Sequence, residues 1–191
     1  MAFNIQDFRS QMLFDGARPN LFECTMTFPI NVISNASGAQ EKFTFMCRAS
    51  QLPGSQVNAV PVNYFGRELK FAGNRVFTEW TVTIINDEDF ILRNAFEKWM
   101  NGLNSHRFNL RNPNMVYSFD YQQDGYVKHY GKAGNILKAY KFIGLFPIDV
   151  SPIELDWAAN DTMEEYAVTF AYQWWETIPG DQGAEVNAQV Y

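Results

Sequence analysis

Charge is scarce in this chain: Asp, Glu, Lys and Arg together make up 19% of its 191 residues. Histidine is scarcer, limited to His106 and His129, with no H-x-x-x-H spacing. Cysteine occurs only as Cys24 and Cys47, with no C-x-x-C pair. So few ligating side chains, so placed, specify no metal site. Two cysteines do not build a disulfide framework; their neighbouring candidate strands make a bridge geometrically conceivable, but buried free thiols are the expected state. No run approaches the roughly 20 apolar residues of a membrane span, so no membrane anchor is expected. The opening MAFNIQDFR lacks the basic and apolar regions of a signal peptide. Also missing are G-x-S-x-G, the Walker phosphate loop and G-x-G-x-x-G. Gly131-Lys-Ala-Gly134 reads as a hairpin turn, and Asp87, Glu88 and Asp89 as the acidic start of a helix. Asp156, Asp161, Glu164 and Glu165 read as a solvated acidic loop rather than a divalent-ion site. Nothing here specifies a reaction, so neither catalysis nor a cofactor is expected.

What is abundant is apolar and aromatic surface. Hydrophobic residues make up 47% and aromatic residues 16%, with 17 Phe, 9 Tyr and 5 Trp. That suffices for one domain with a substantial core. A weakly charged exterior on so aromatic a chain points to a surface partly covered by partners. The net charge of −6 argues against adhesion to nucleic acid or anionic membrane. A conduit through which nucleic acid slides without sticking would tolerate the same balance.

Period-two patterning dominates. In Glu165–Glu176, Tyr166, Val168, Phe170, Tyr172 and Trp174 alternate with Glu165, Ala167, Thr169, Ala171 and Gln173. One face is therefore apolar and the other small and wet. Arg75–Ile85 repeats the pattern, with Val76, Thr78, Trp80, Val82 and Ile84 against Glu79, Thr81 and Thr83. Such a wet face fits an enzyme cavity, a solvated surface or the wall of a pore. Further strands are expected at Leu21–Phe28 and Glu41–Ala49, paired as a hairpin, at 115–122, at 125–130, and at 136–146 ending before Pro147. One helix, about 87–103, carries the stripe Leu92, Ala95, Phe96, Trp99 and Leu103.

Residues 1–176 read as a single domain, with an N-terminal arm over 1–16, where Phe3, Ile5, Phe8, Met12 and Leu13 have helical spacing, and a tail over 177–191 without periodicity. Residues 52–73 read as a long loop, yet contain Val57, Val60, Val62, Tyr64, Phe65, Leu69 and Phe71. A solvated loop has no need of them; either the segment meets another molecule or it folds back on its own barrel. The fold class is thus mainly β: an antiparallel sandwich or barrel with one flanking helix and long assembly loops. That profile suits an assembling structural protein, and also a monomeric barrel that binds a small molecule.

An ordered set of segments carries a resemblance: Ala17-Arg-Pro-Asn-Leu-Phe22, Cys47-Arg-Ala-Ser-Gln-Leu-Pro53 with Val60-Pro-Val62, Ala72-Gly-Asn-Arg75 before Trp80-Thr-Val-Thr83, Asn86-Asp-Glu88, Gly144-Leu-Phe-Pro147, Leu155-Asp-Trp157, and Val168-Thr-Phe-Ala-Tyr172 with Trp175-Glu176. In kind and order these resemble the tail tube proteins of T4-like contractile-tailed bacteriophages, over about residues 15–176. The loop 31–40, the 104–135 region and the C-terminal tail depart from that pattern. The resemblance implies the fold shared with type VI secretion tubes. It implies a structural subunit of a virion, assembled in the host bacterial cytoplasm, whose hexameric rings stack into a hollow tube. The implied partners are other copies of the chain, a contractile sheath, a baseplate and a tube terminator, with double-stranded DNA passing but not stably bound. A tube of a phage-like particle or secretion system, or a baseplate tube initiator, is the related alternative. On this reading Val60, Val62, Tyr64, Phe65, Arg67 and Leu69 meet a neighbouring subunit or ring. Glu79, Thr81, Thr83, Glu165, Thr169 and Gln173 would face the lumen, where Lys or Arg would adhere to phosphate.

Overall fold

The computed structural model describes residues 4–12 and 16–178, and its longest strand is shared by two antiparallel sheets. In chain order the elements are α1 (Ile5–Gln11), β1 (Phe22–Met26), α2 (Ala36–Met46), β2 (Cys47–Ser50), β3 (Gln56–Tyr64), β4 (Arg67–Val76) and β5 (Trp80–Ile85). There follow α3 (Ile91–Leu103), a 3-10 turn (Pro113–Met115), α4 (Ser118–Tyr121), β6 (Gln123–Tyr130), β7 (Ile136–Val150), β8 (Glu165–Ala171) and β9 (Trp174–Ile178). The first part of β7 pairs with β6 on one edge and β9 on the other, and β6 carries β1. From Phe146 onward β7 pairs with β8, which carries β5 and then β2. The β7 strand changes sheets at Gly144, whose φ of +68° lies in the left-handed region. Across from it the chain breaks between β8 and β9, where the Gln173 N–H donates to Ile143 O at 2.9 Å.

Alternation puts the core between these sheets. Trp80, Val82 and Ile84 of β5 and Tyr166, Val168 and Phe170 of β8 are buried. Trp80 stacks on Phe142 at 4.6 Å, and Phe142 meets Tyr172 edge-on at 4.9 Å, so aromatic rings fill the space between sheets. The Trp80 indole N–H donates to Ser50 Oγ at 3.0 Å and Gln51 O at 3.1 Å. The expected helix is present as α3, opening at Ile91 rather than 87, and it buries Leu92, Ala95, Phe96 and Trp99. Asp89 still serves its start, its Oδ1 accepting from Ile91 N at 3.1 Å. Lys42, and then that Ile91 N–H, hold the Asp89 carboxyl below its ordinary value.

Several expectations are corrected. Residues 41–46 are helical, not the start of a strand, so two substantial helices flank the sheets instead of one. Asn35 caps α2 by accepting from Gly38 N at 3.3 Å, and burial of Ala36, Ala39 and Phe43 follows the helical period. The strand pair expected for 21–28 and 41–49 does not form, because β1 pairs with β6. The strand expected at 115–122 is instead the end of a 3-10 turn opened by Pro113 and the short helix α4. The β7 strand runs on through Pro147, which sits beside a register shift that accommodates its missing N–H. The single strand expected over 75–85 is split, β4 ending at Val76 and β5 opening at Trp80. The break after Ala171 leaves Trp174 exposed rather than in the core. The arm is helical over Ile5–Gln11 with no buried residue, and Phe3 and Leu13 lie outside the described residues. Of the expected tail, Thr177 and Ile178 belong to β9 and 179–191 lie outside the described residues.

Cys24 and Cys47 are free and buried. They sit in β1 and β2, the two ends of the continuous strand path. Hydrogen bonding with Cys24, and then burial, push the Cys47 thiol far above its ordinary value.

Gly144→Ala places a Cβ 2.8 Å from Gln173 Cγ at φ +68°. It is expected to lower stability by about 1–2 kcal/mol, the cost of a left-handed residue with a side chain, read from urea unfolding. The edge strand β1 is held by Glu23, which accepts from the Tyr130 hydroxyl and lies 3.5 Å from Lys128. Burial, and then Glu23, raise the Tyr130 phenol from 10.0 to about 12. Its contribution is complete below pH 10 and lost as pH rises toward 12; the wild type should lose stability across that window more steeply than Tyr130→Phe in alkaline thermal melts.

Candidate functional site

Two surfaces concentrate the residues singled out from the sequence. The first is not a loop, as expected for 52–73, but the antiparallel ribbon β3–β4. Its register pairs Val60 with Phe71, Val62 with Leu69 and Tyr64 with Arg67, which places all six on one side. Pro61 with Lys70 and Asn63 with Glu68 occupy the other side. Pro61 fits because each strand of a two-stranded ribbon has a free edge. Every residue of β3 is exposed, as is every residue of β4 except the half-buried Gly73. The segment therefore does not fold back on its own barrel. Its base is tied down: Trp175 Nε1 donates to Gly54 O at 3.0 Å and Arg75 Nη1 to Ser55 Oγ at 2.9 Å.

The tip turns through two residues, Phe65 and Gly66, with φ of 45° and 80°. Positive φ at both positions is the primed hairpin turn that matches strand twist. Asn, Asp or Gly ordinarily occupies its first position, whereas here a phenylalanine that is 91% exposed sits there. Tyr64 meets that ring edge-on at 4.5 Å. Neither backbone preference nor burial in its own subunit accounts for this aromatic tip.

The second surface is the outer face of β5 and β8. Thr81 lies opposite Thr169, and their hydroxyl oxygens are 3.1 Å apart; Thr83 lies opposite Ala167, and Ile85 opposite Glu165. Glu79 is exposed just before β5. Gln173 does not share the β8 face, because it lies in the break before β9 and packs toward Gly144. Two residues of this face were missed by sequence reading. Arg48 of β2 forms an ion pair with Glu165, and Asp149 of β7 lies opposite Thr169. The face is thus wet and slightly acidic, and its one described cation reaching that row is spent on Glu165. Phe71, named in the segment from the sequence but not among its six contact candidates, shares the ribbon's apolar side through its pairing with Val60. Among the described residues no cluster of His, Cys, Asp or Glu is placed to hold a metal ion, and no helix is long and apolar enough to cross a membrane.

The profile of the phage tail tube protein family matches residues 17–178. The tail tube protein gp19 of Enterobacteria phage T4 is 31% identical over 163 residues, covering 85% of this chain and 92% of that one. The tail tube protein of Serratia phage KSP90 is 25% identical over 172 residues, covering 88% and 93%. Among solved structures, a chain in the sheath–tube complex of an extracellular contractile injection system superposes with a TM-score of 0.56 at 14% identity, covering 88% and 96%. A chain of the anti-feeding prophage baseplate gives 0.60 at 10% identity, covering 87% and 97%.

Replacing Phe65 with Asn relieves the left-handed turn, worth about 1 kcal/mol at such a position. The monomer's melting midpoint is expected to stay the same or rise in calorimetry; a drop of several degrees would mean that the ring packs on its own subunit.

Proposed function

Because the chain belongs to the phage tail tube protein family, we propose that it polymerises as stacked hexameric rings with its ribbon on a neighbouring copy and its wet face toward the lumen. It is a structural tail tube protein of a contractile phage and a component of the virion. The observation that carries the assembly reading is the ribbon. An isolated two-stranded hairpin is marginal in water at best, and this one exposes Val60, Val62, Leu69 and Phe71 together on one side. At about 25 cal/mol per Å2, covering that side with a neighbour stabilises both the ribbon and the junction. The tip residues Tyr64 and Phe65 supply the large aromatic contacts that dominate interface energetics. Arg67 shares their side and would pair with a carboxylate of the neighbour.

The wet face supports a lumen assignment through its chemistry. Thr81, Thr83, Glu165 and Thr169 offer short, hydrated, non-basic groups, and Glu79 extends the row. DNA binds protein chiefly through cation–phosphate contacts that release counterions. A face whose arginine is already neutralised gives double-stranded DNA no foothold, so it passes without stable binding. Gln173, at the sheet break, would lie toward one mouth of this surface. The role is structural, without catalysis and without a cofactor. Related chains in sheath–tube, baseplate and tube-cap assemblies support a contractile sheath, a baseplate and a terminator as partners.

Tyr64→Ser with Phe65→Ser should yield a folded monomer by circular dichroism and no tubes in negative stain; unimpaired tubes would refute the ribbon contact. In a reconstruction of the wild-type tube, Thr81 and Thr169 should border the channel, and finding them on the outer wall would overturn the lumen assignment.

A further inference from the structure

Helix α3 presents surfaces of opposite character at its two ends. At its N-terminal end an arm, residues 151–164, joins β7 to β8. Its roots are fixed: Arg93 Nη1 donates to Ser151 O at 2.6 Å, and Asn86 Nδ2 donates to Glu164 Oε2 at 2.8 Å. Between those roots Ile153 packs on the core, and the rest of the arm curls around an open cleft of ≈ 730 Å³ lined by residues of 151–165. Trp157 is fully exposed at 102%, the largest apolar side chain given wholly to solvent. Glu154, Asp156 and Asp161 flank it in sequence, and among the described residues none of them meets a cation; the arm holds no Lys or Arg.

At the C-terminal end of α3, residues 104–119 form a platform anchored by Met115, which is buried against Gly102, and by the Asn112 N–H, which donates to Gly102 O at 2.9 Å. Its outward side shows Phe108 and Phe119, and the ring of Phe119 stacks on Tyr117 at 5.3 Å. Arg107 lies over the Phe108 ring at 5.0 Å and Arg111 over Tyr121 at 4.9 Å. Among the described residues neither guanidinium meets a carboxylate, and 104–119 contains no Asp or Glu.

We propose that the arm of one copy docks on the platform of the next, with Trp157 among the platform rings and Glu154 and Asp156 on Arg107 and Arg111. The inference rests on the tube reading and adds a junction that the ribbon does not provide. Complementary charge on two desolvated aromatic surfaces selects partner and register. The 13 residues of α3 separate the two surfaces by about 20 Å, so one copy does not satisfy both on itself. A contact between different patches on identical subunits is heterologous, and it propagates into a ring or a helix rather than stopping at a dimer. Both halves belong to the same chain, so arm and platform are supplied one to one.

Charge reversal tests the pairing. Glu154→Lys/Asp156→Lys and Arg107→Glu/Arg111→Glu are each expected to give a folded protein whose critical concentration for assembly rises at least about tenfold. An equimolar mixture of the two should assemble again, because each reversed arm finds a reversed platform and each native arm a native one. Turbidity and negative stain read the result, with circular dichroism as the check on folding. If either variant assembles alone like the wild type, or if the mixture stays unassembled, the proposal is overturned. Failure of those assembled tubes to bind the sheath protein would identify the sheath as the occupant instead. A wild type that remains monomeric sinks the tube reading itself.

Discussion

One strand serving two sheets is the constraint on which this fold depends. The β7 strand must leave β9 and join β8 without interrupting its own backbone, and it does so at a glycine in the left-handed region. The opposite strand answers by breaking between Ala171 and Trp174, so that each sheet receives its own partner. The aromatic column of Phe142, Trp80 and Phe170 fills the angle this creates, and α2 and α3 close it from the side through Phe43, Phe96 and Trp99. With the interior packed by rings, recognition is left to what the subunit presents outward. The continuous strand path also leaves two ends, β1 and β2, and there the buried thiols of Cys24 and Cys47 meet in a surrounding that suppresses ionisation of Cys47.

The outside is divided by chemistry. The ribbon exposes an aliphatic side and an aromatic tip, the β5–β8 face carries hydroxyls and carboxylates, and the segments 151–164 and 104–119 beside the two ends of α3 carry opposite charge. These surfaces differ in what the loss of water costs them. Apolar ribbon surface gains by losing water, hydroxyl-lined sheet gains nothing by it, and paired charge gains only when its complement arrives. On the proposed assembly, a subunit so divided would make several contacts without one surface competing for another's partner.

Much of this was legible in the sequence, and the exceptions have physical causes. The alternation in β5 and β8 is strict because one side is buried, so both strands and their wet side could be read directly. The stripe Leu92, Ala95, Phe96 and Trp99 gave α3 in the same way. The α2 segment was misleading: Phe43 and Phe45 alternate as in a strand, but only Phe43 is buried, and the helical set Ala36, Ala39 and Phe43 prevails through packing. Residues 116–121 alternate as well, yet Val116, Tyr117 and Phe119 are all exposed, so no core rewarded the strand reading. The ribbon was legible as apolar content but not as strands, because Pro61 and Gly66 read as breakers until pairing supplies a free edge and a turn. The pairing of Arg48 with Glu165 reaches across an intervening strand, which no local pattern reveals.

The two-residue turn at Phe65 and Gly66 has a consequence for how such a chain can vary. Because side chains alternate along each strand, removing a single residue from one strand would carry Val60 and Val62 to the side now held by Pro61 and Asn63. Only changes that add or remove a cross-strand pair on both sides, two at a time, preserve the apolar side and the tip together. The ribbon is thus a ruler with discrete graduations: its reach can be lengthened or shortened in steps of one pleat, never continuously.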